Sequence, residues 1–179
     1  QDSADGTTIT GPNGKSYTYK AGNPFQDGQS DTLADVAMKY WKTDLRPDLA
    51  NTVPVPLPNL NPAFWQHMVT FGVGLGVTGS VTAQQGFDAV TSKSAVNWWG
   101  GSEKQNKIND LLHASVNGRG GFFSANKPST FASGLANTLA NISARAGSAS
   151  NIAATAINSL QTESNVYQAR FIAGEWAGD

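Results

Sequence analysis

Gln66-His67-Met68-Val69-Thr70-Phe71-Gly72-Val73-Gly74-Leu75-Gly76-Val77 is the stretch that decides the fold class. It is a nearly continuous run of apolar and β-forming residues bounded by Pro62 and Gly79, and it reads as a strand buried on both faces. Strands of that kind belong to parallel sheets, whose crossover helices cover both sides. The glycines at 72, 74 and 76 weaken the strand and imply that a neighbouring backbone approaches it closely.

Helical signals lie on both sides of this strand. Upstream, Leu33, Val36, Ala37, Tyr40 and Trp41 recur at helical spacing over residues 32–41 and predict a single apolar face. Thr32 with Asp35 three residues later gives that helix a capping-box start. The alternating prolines of Val53-Pro54-Val55-Pro56-Leu57-Pro58 fit neither a helix nor a central strand and read as an extended connector. Downstream, residues 91–107 read as an aromatic-bearing loop, and residues 108–116 as a second helix with Ile108, Leu111, Leu112 and Ser115 on one face. Gly118-Arg119-Gly120-Gly121 ends that helix, and residues 122–124 form a second strand. Pro128 then opens a third helix bearing Phe131, Leu135, Leu139 and Ile142, with Gly147 at its end. The order helix, strand, helix, strand, helix is that of an α/β fold, a parallel sheet with flanking helices. Residues 1–29 read as a polar, Gly-rich loop or hairpin, residues 16–19 pairing beside 7–10. Residues 159–162 and 166–172 alternate as a short β tail, the start of an all-β unit.

Composition excludes several function classes. Twelve basic against 13 acidic residues leave a net charge of −1, without the basic excess that nucleic acid or an anionic membrane surface demands. Charged residues make up 14% of the chain, against ~25% in typical soluble domains, and polar uncharged residues fill the difference as in extracellular proteins. With no cysteine there is neither a disulfide nor a thiolate metal site. No run reaches the ~20 apolar residues of a membrane span. A start at Gln1 rather than Met reads as that of a processed or excised piece, any secretion signal lying upstream.

Chemistry-bearing residues are sparse. His67 and His113 sit in no zinc-ligand spacing and read as hydrogen-bonded structural residues. Asp27-Gly28 with Asp31 offers oxygen ligands for calcium, but a turn followed by a helix cap explains them as well. Gly72-Val73-Gly74-Leu75-Gly76 lacks the spacing and the lysine of a phosphate loop. Asp110 and His113 share a helical face at i, i+3, the minimal start of a hydrolase site, yet Ile108, Leu111 and Leu112 beside them indicate packing. Trp98-Trp99, flanked by Gly100-Gly101, stands out. Adjacent tryptophans cannot both face one core, so one caps it and the other is offered to a partner or a glycan. These two are the candidate binding residues, with no catalytic and no metal-binding residue expected.

Three stretches resemble the PilY class of type IV pilus proteins. They are Ser30-Asp31-Thr32-Leu33-Ala34-Asp35-Val36-Ala37-Met38-Lys39-Tyr40-Trp41-Lys42-Thr43-Asp44-Leu45-Arg46-Pro47, Ala63-Phe64-Trp65-Gln66-His67-Met68-Val69-Thr70-Phe71, and Lys107-Ile108-Asn109-Asp110-Leu111-Leu112-His113-Ala114-Ser115-Val116-Asn117-Gly118-Arg119-Gly120. Val166-Tyr167-Gln168-Ala169-Arg170-Phe171 in the tail is similar too. The resemblance implies a partial von Willebrand A-like, Rossmann-type layered sheet over residues 30–148, the C-terminal half of such a domain. Residues 149–179 would then lead into a β-propeller. It further implies a non-enzymatic protein of pilus assembly, surface adhesion and mechanosensing, located at the pilus tip or outer membrane. Its partners would be minor pilins or other tip subunits, a host or abiotic surface, and the missing half of its own domain. The Asp-x-Ser-x-Ser run that holds a divalent cation in such domains does not occur here, so any cation would belong to the full-length parent.

Overall fold

The computed structural model describes residues 1–125 and 128–147. In chain order the elements are β1 (Ile9–Thr10), β2 (Ser16–Tyr17), α1 (Leu33–Trp41), β3 (Thr70–Leu75), α2 (Ala83–Ser92), α3 (Glu103–Asn117), β4 (Arg119–Ala125) and α4 (Pro128–Gly147). The architecture is mixed α/β. β1 and β2 pair antiparallel, while β3 and β4 pair parallel from Thr70 opposite Arg119 to Leu75 opposite Ala125. α3 packs on both parallel strands and on α1, and α4 packs on β4. The β tail expected over 159–172 lies outside the described residues.

The deciding strand is shorter than the apolar run and is buried on one face, not two. Gly72 and Gly74 point inward, whereas Val73 is 37% and Leu75 62% exposed. α3 covers the glycine side. A Cβ on Gly72 would stand 2.5 Å from Ser115 Oγ and 3.2 Å from the Leu111 carbonyl, so the missing side chain is what lets α3 seat on the strand. Gly76, at φ 66°, turns the chain out of β3 through the left-handed region.

α1 begins with the expected capping box of Thr32 and Asp35, but its buried face is rotated from the expected one. Ala34, Ala37, Met38 and Trp41 face inward, and Leu33, Val36 and Tyr40 are exposed. The small Ala34 and Ala37 allow α3 to come close, and two polar contacts fix that approach. The Asp110 carboxylate of α3 accepts the Leu33 and Ala34 N–H groups at 3.0 and 3.1 Å, and Asn117 Nδ2 donates to the Ala34 carbonyl at 3.2 Å. A carboxylate at the helix N-terminus also meets the positive end of the helix dipole.

The segment read as a loop over 91–107 is bounded by two helices. α2 was not expected, and α3 starts at Glu103 rather than 108. Capping boxes at Thr82–Gln85 and Ser102–Gln105 start these helices, whose first turns are too polar to register as an apolar stripe. On α4, Leu135, Leu139 and Ile142 are exposed, and Gly134 meets the Phe123 ring of β4 instead.

Among the described residues two apolar clusters form the core. Ile9, Tyr19, Met38, Trp41, Ala63, Phe64 and Trp65 make the first, and Trp98, Leu112 and Val116 the second; Phe25 packs against both. The N-terminal segment is therefore built into the core rather than hung beside it. The Arg119 guanidinium is buried between Phe25 and Trp41, 3.6 and 4.0 Å from their ring centroids, and burial pushes its pKa down to about 10.

Candidate functional site

Three distant segments bring their polar side chains together beneath the second cluster: Asp2 from the N-terminus, Asp27 from the turn before α1, and His113 from the middle of α3. Asp2 and His113 are fully buried. One ligand-capable atom from each of the three lies within 4.8 Å of the others. His113 Nδ1 is 3.3 Å from Asp27 Oδ2, and its Nε2 is 2.8 Å from the Phe25 carbonyl and 4.0 Å from Asp2 Oδ2.

Each side chain is positioned by the local chain. Asp27 Oδ1 accepts the Gln29 N–H at 2.7 Å, an Asx turn of the kind Asp-Gly favours. Asp2 is held by Ser3 Oγ donating to its Oδ1 at 2.9 Å, by Asn117 Nδ2 near its Oδ2 at 3.3 Å, and by Tyr19 Oη donating to its carbonyl at 2.6 Å. The His113 ring lies flat on Trp98, centroids 4.2 Å apart and planes 9° from parallel. Burial raises the pKa of Asp2. At Asp27 burial acts in the same direction, but the contacts from His113, Trp99 Nε1 and the Gln29 N–H outweigh it and hold the carboxyl below its ordinary value.

Both tryptophans pack on the second cluster, Trp98 within it and Trp99 against it, so the expectation that adjacent tryptophans cannot face one core does not hold. Trp98 is 2% exposed, its Nε1–H donating to the Pro24 carbonyl at 2.9 Å. Trp99 is half-buried, its Nε1–H donating to Asp27 Oδ2 at 2.7 Å. Of the two candidate binding residues, only Trp99 keeps an exposed part. Asp110 faces α1 and caps it, so the carboxylate beside His113 is Asp27 and the pairing considered for a hydrolase does not form. His67 precedes β3, its ring bridging the Trp65 carbonyl at 2.7 Å and Asn61 Nδ2 at 3.0 Å. Asp31 stands outside the cluster. Asp2 had no sequence signal at all, because its role depends on residues 25 and 111 positions further along.

Among the described residues no helix is long and apolar enough to cross a membrane. No protein-family model matches the chain, and no solved structure matches it. Three curated relatives do, all named type IV pilus biogenesis factor PilY1 and all from Pseudomonas aeruginosa. Those of strains PAK and PAO1 are each 35% identical over 98% of this chain, and that of strain UCBPP-PA14 is 33% identical over 92%. The chain spans 17% of the length of each. It therefore belongs to the PilY class of type IV pilus proteins, as the counterpart of one stretch of those longer chains.

Proposed function

We propose that the chain is a non-enzymatic structural unit of a type IV pilus biogenesis protein, acting at the cell surface or pilus tip in pilus assembly and surface adhesion. The observation that supports this reading is similarity to relatives of that name along 98% of the chain. In this proposal residues 30–148 are the C-terminal half of a von Willebrand A-like domain, and residues 149–179 lead into a propeller. The rest of the longer protein extends the sheet, minor pilins or other tip subunits are the partners, and load passing between them is sensed mechanically. Two observations support it: among the described residues the parallel sheet has two strands, fewer than a complete layer, and Val73 and Leu75 leave one of its faces open to cover.

In-frame removal of residues 30–125 from the full-length protein tests the role. The expected result is loss of surface pili and of twitching motility while the shortened protein is still exported and detectable. Normal piliation and motility in that strain would overturn the proposal.

A further inference from the structure

We propose that Asp2, Asp27 and His113 form a buried site for one zinc-class divalent cation, which ties the N-terminal segment, the turn before α1 and the centre of α3 together. The proposal rests on which electron pairs the cluster leaves unused. His113 Nε2 lies 2.8 Å from the Phe25 carbonyl, which can only accept, so this nitrogen carries the hydrogen. In the neutral ring that leaves Nδ1 as the electron-pair donor. Among the described residues Nδ1 is buried and makes no hydrogen bond, its closest charged neighbour being Asp27 Oδ2 at 3.3 Å. Metal-bound histidines show this division, one ring nitrogen on the ion and the other donating to a backbone carbonyl.

Spacing and charge agree with it. Two ligands roughly 2.0–2.1 Å from a tetrahedral ion stand about 3.3–3.4 Å apart, and Nδ1 and Asp27 Oδ2 are separated by 3.3 Å. The Asp2 carboxylate, with Oδ2 4.0 Å from Nε2 and an oxygen within 4.8 Å of the other ligand atoms, has to close in by about an ångström to complete a one-nitrogen, two-carboxylate set. Such a set suits zinc better than calcium, which takes six to eight oxygens. Lys42 spends its ammonium on the Gln1 and Ala4 carbonyls, at 2.6 and 2.7 Å. Asn117, whose Nδ2 donates toward Asp2, has its Oδ1 buried without a hydrogen-bond partner among the described residues. Buried lone pairs without partners call for an ion or a water.

No zinc motif announces the site, since its three ligands come from three separate segments. The inference is independent of the pilus assignment, because it concerns only these side chains.

The test is zinc titration of the chelator-stripped chain against a competing chromophoric chelator, followed by thermal unfolding. The expected result is uptake of one equivalent. At a free zinc concentration about 100-fold above Kd, the melting temperature should rise by roughly 5–10 °C. Magnesium should give neither effect, and Asp27→Asn and His113→Gln should abolish both. Should the variants not fold, the ring nitrogens of His113 in the unsubstituted chain decide by NMR. Nδ1 should move to a metal-bound shift with zinc while Nε2 stays protonated. A ring protonated on both nitrogens and unmoved by zinc, absence of stoichiometric uptake, or uptake unchanged by Asp27→Asn would each overturn the proposal.

Discussion

Trp98 illustrates how much one side chain settles in this molecule. Its ring stacks on His113, its indole N–H satisfies the Pro24 carbonyl, and Gly86 of α2 packs close enough that a Cβ there would lie 3.1 Å from the Trp98 Cη2. Trp98→Ala would remove the stack, strand a carbonyl and open a cavity between α2 and α3, for a cost of about 3–5 kcal/mol. Trp99→Ala loses a half-buried ring and one hydrogen bond to a carboxylate, for about 1–3 kcal/mol. Urea denaturation of the two variants should rank them in that order; equal losses would contradict this placement of the pair. From sequence the two residues are equivalent neighbours. Their difference arises because Pro24 and Asp27, more than 70 positions away, each supply a partner to one of them.

At the scale of elements, α3 organises its surroundings by close approach, and Gly72 is where that approach is tightest. Gly72→Ala would place a methyl 2.5 Å from Ser115 Oγ, 2.9 Å from the Phe122 ring and 3.2 Å from the Leu111 carbonyl, so the helix itself has to move. Overpacking of this kind costs about 1–3 kcal/mol. At Gly74 the same methyl would meet ordinary contacts at 3.5 Å or more. Thermal unfolding should therefore show a clear drop for Gly72→Ala and a much smaller change for Gly74→Ala; similar changes would mean that helix seating is not limited by this contact. The capping boxes that start α1 and α2 are local and readable, each a Thr followed three residues later by Asp or Gln. Which face of α1 turns inward is a different matter. Leu33, Val36 and Tyr40 form the more apolar stripe, but Asp110 and Asn117 of α3 hold the alanine side inward.

At the scale of the whole molecule, aliphatic side chains remain exposed on α1, β3 and α4. If the longer protein lays a further layer over the open face of β3, Leu75→Lys separates the two contexts. In the chain by itself Leu75 is 62% exposed, and the substitution should change stability by less than about 0.5 kcal/mol. In the full-length protein it should lower the melting temperature by several degrees, because a lysine would then be buried. A negligible effect in both would count against a layer over that face. The sequence by itself determined the mixed α/β content, the parallel strand at its centre, the starts of α1 and α4 and the membership of a pilus-protein class, all of which rest on local signals or on runs of matching residues. Only the tertiary structure decided which helix faces are buried, that the N-terminal segment belongs to the core, and that Asp2, Asp27 and His113 meet. Those outcomes depend on contacts between segments up to 115 positions apart. A side chain's partner across such a distance leaves no trace in the periodicity of the segment that holds it.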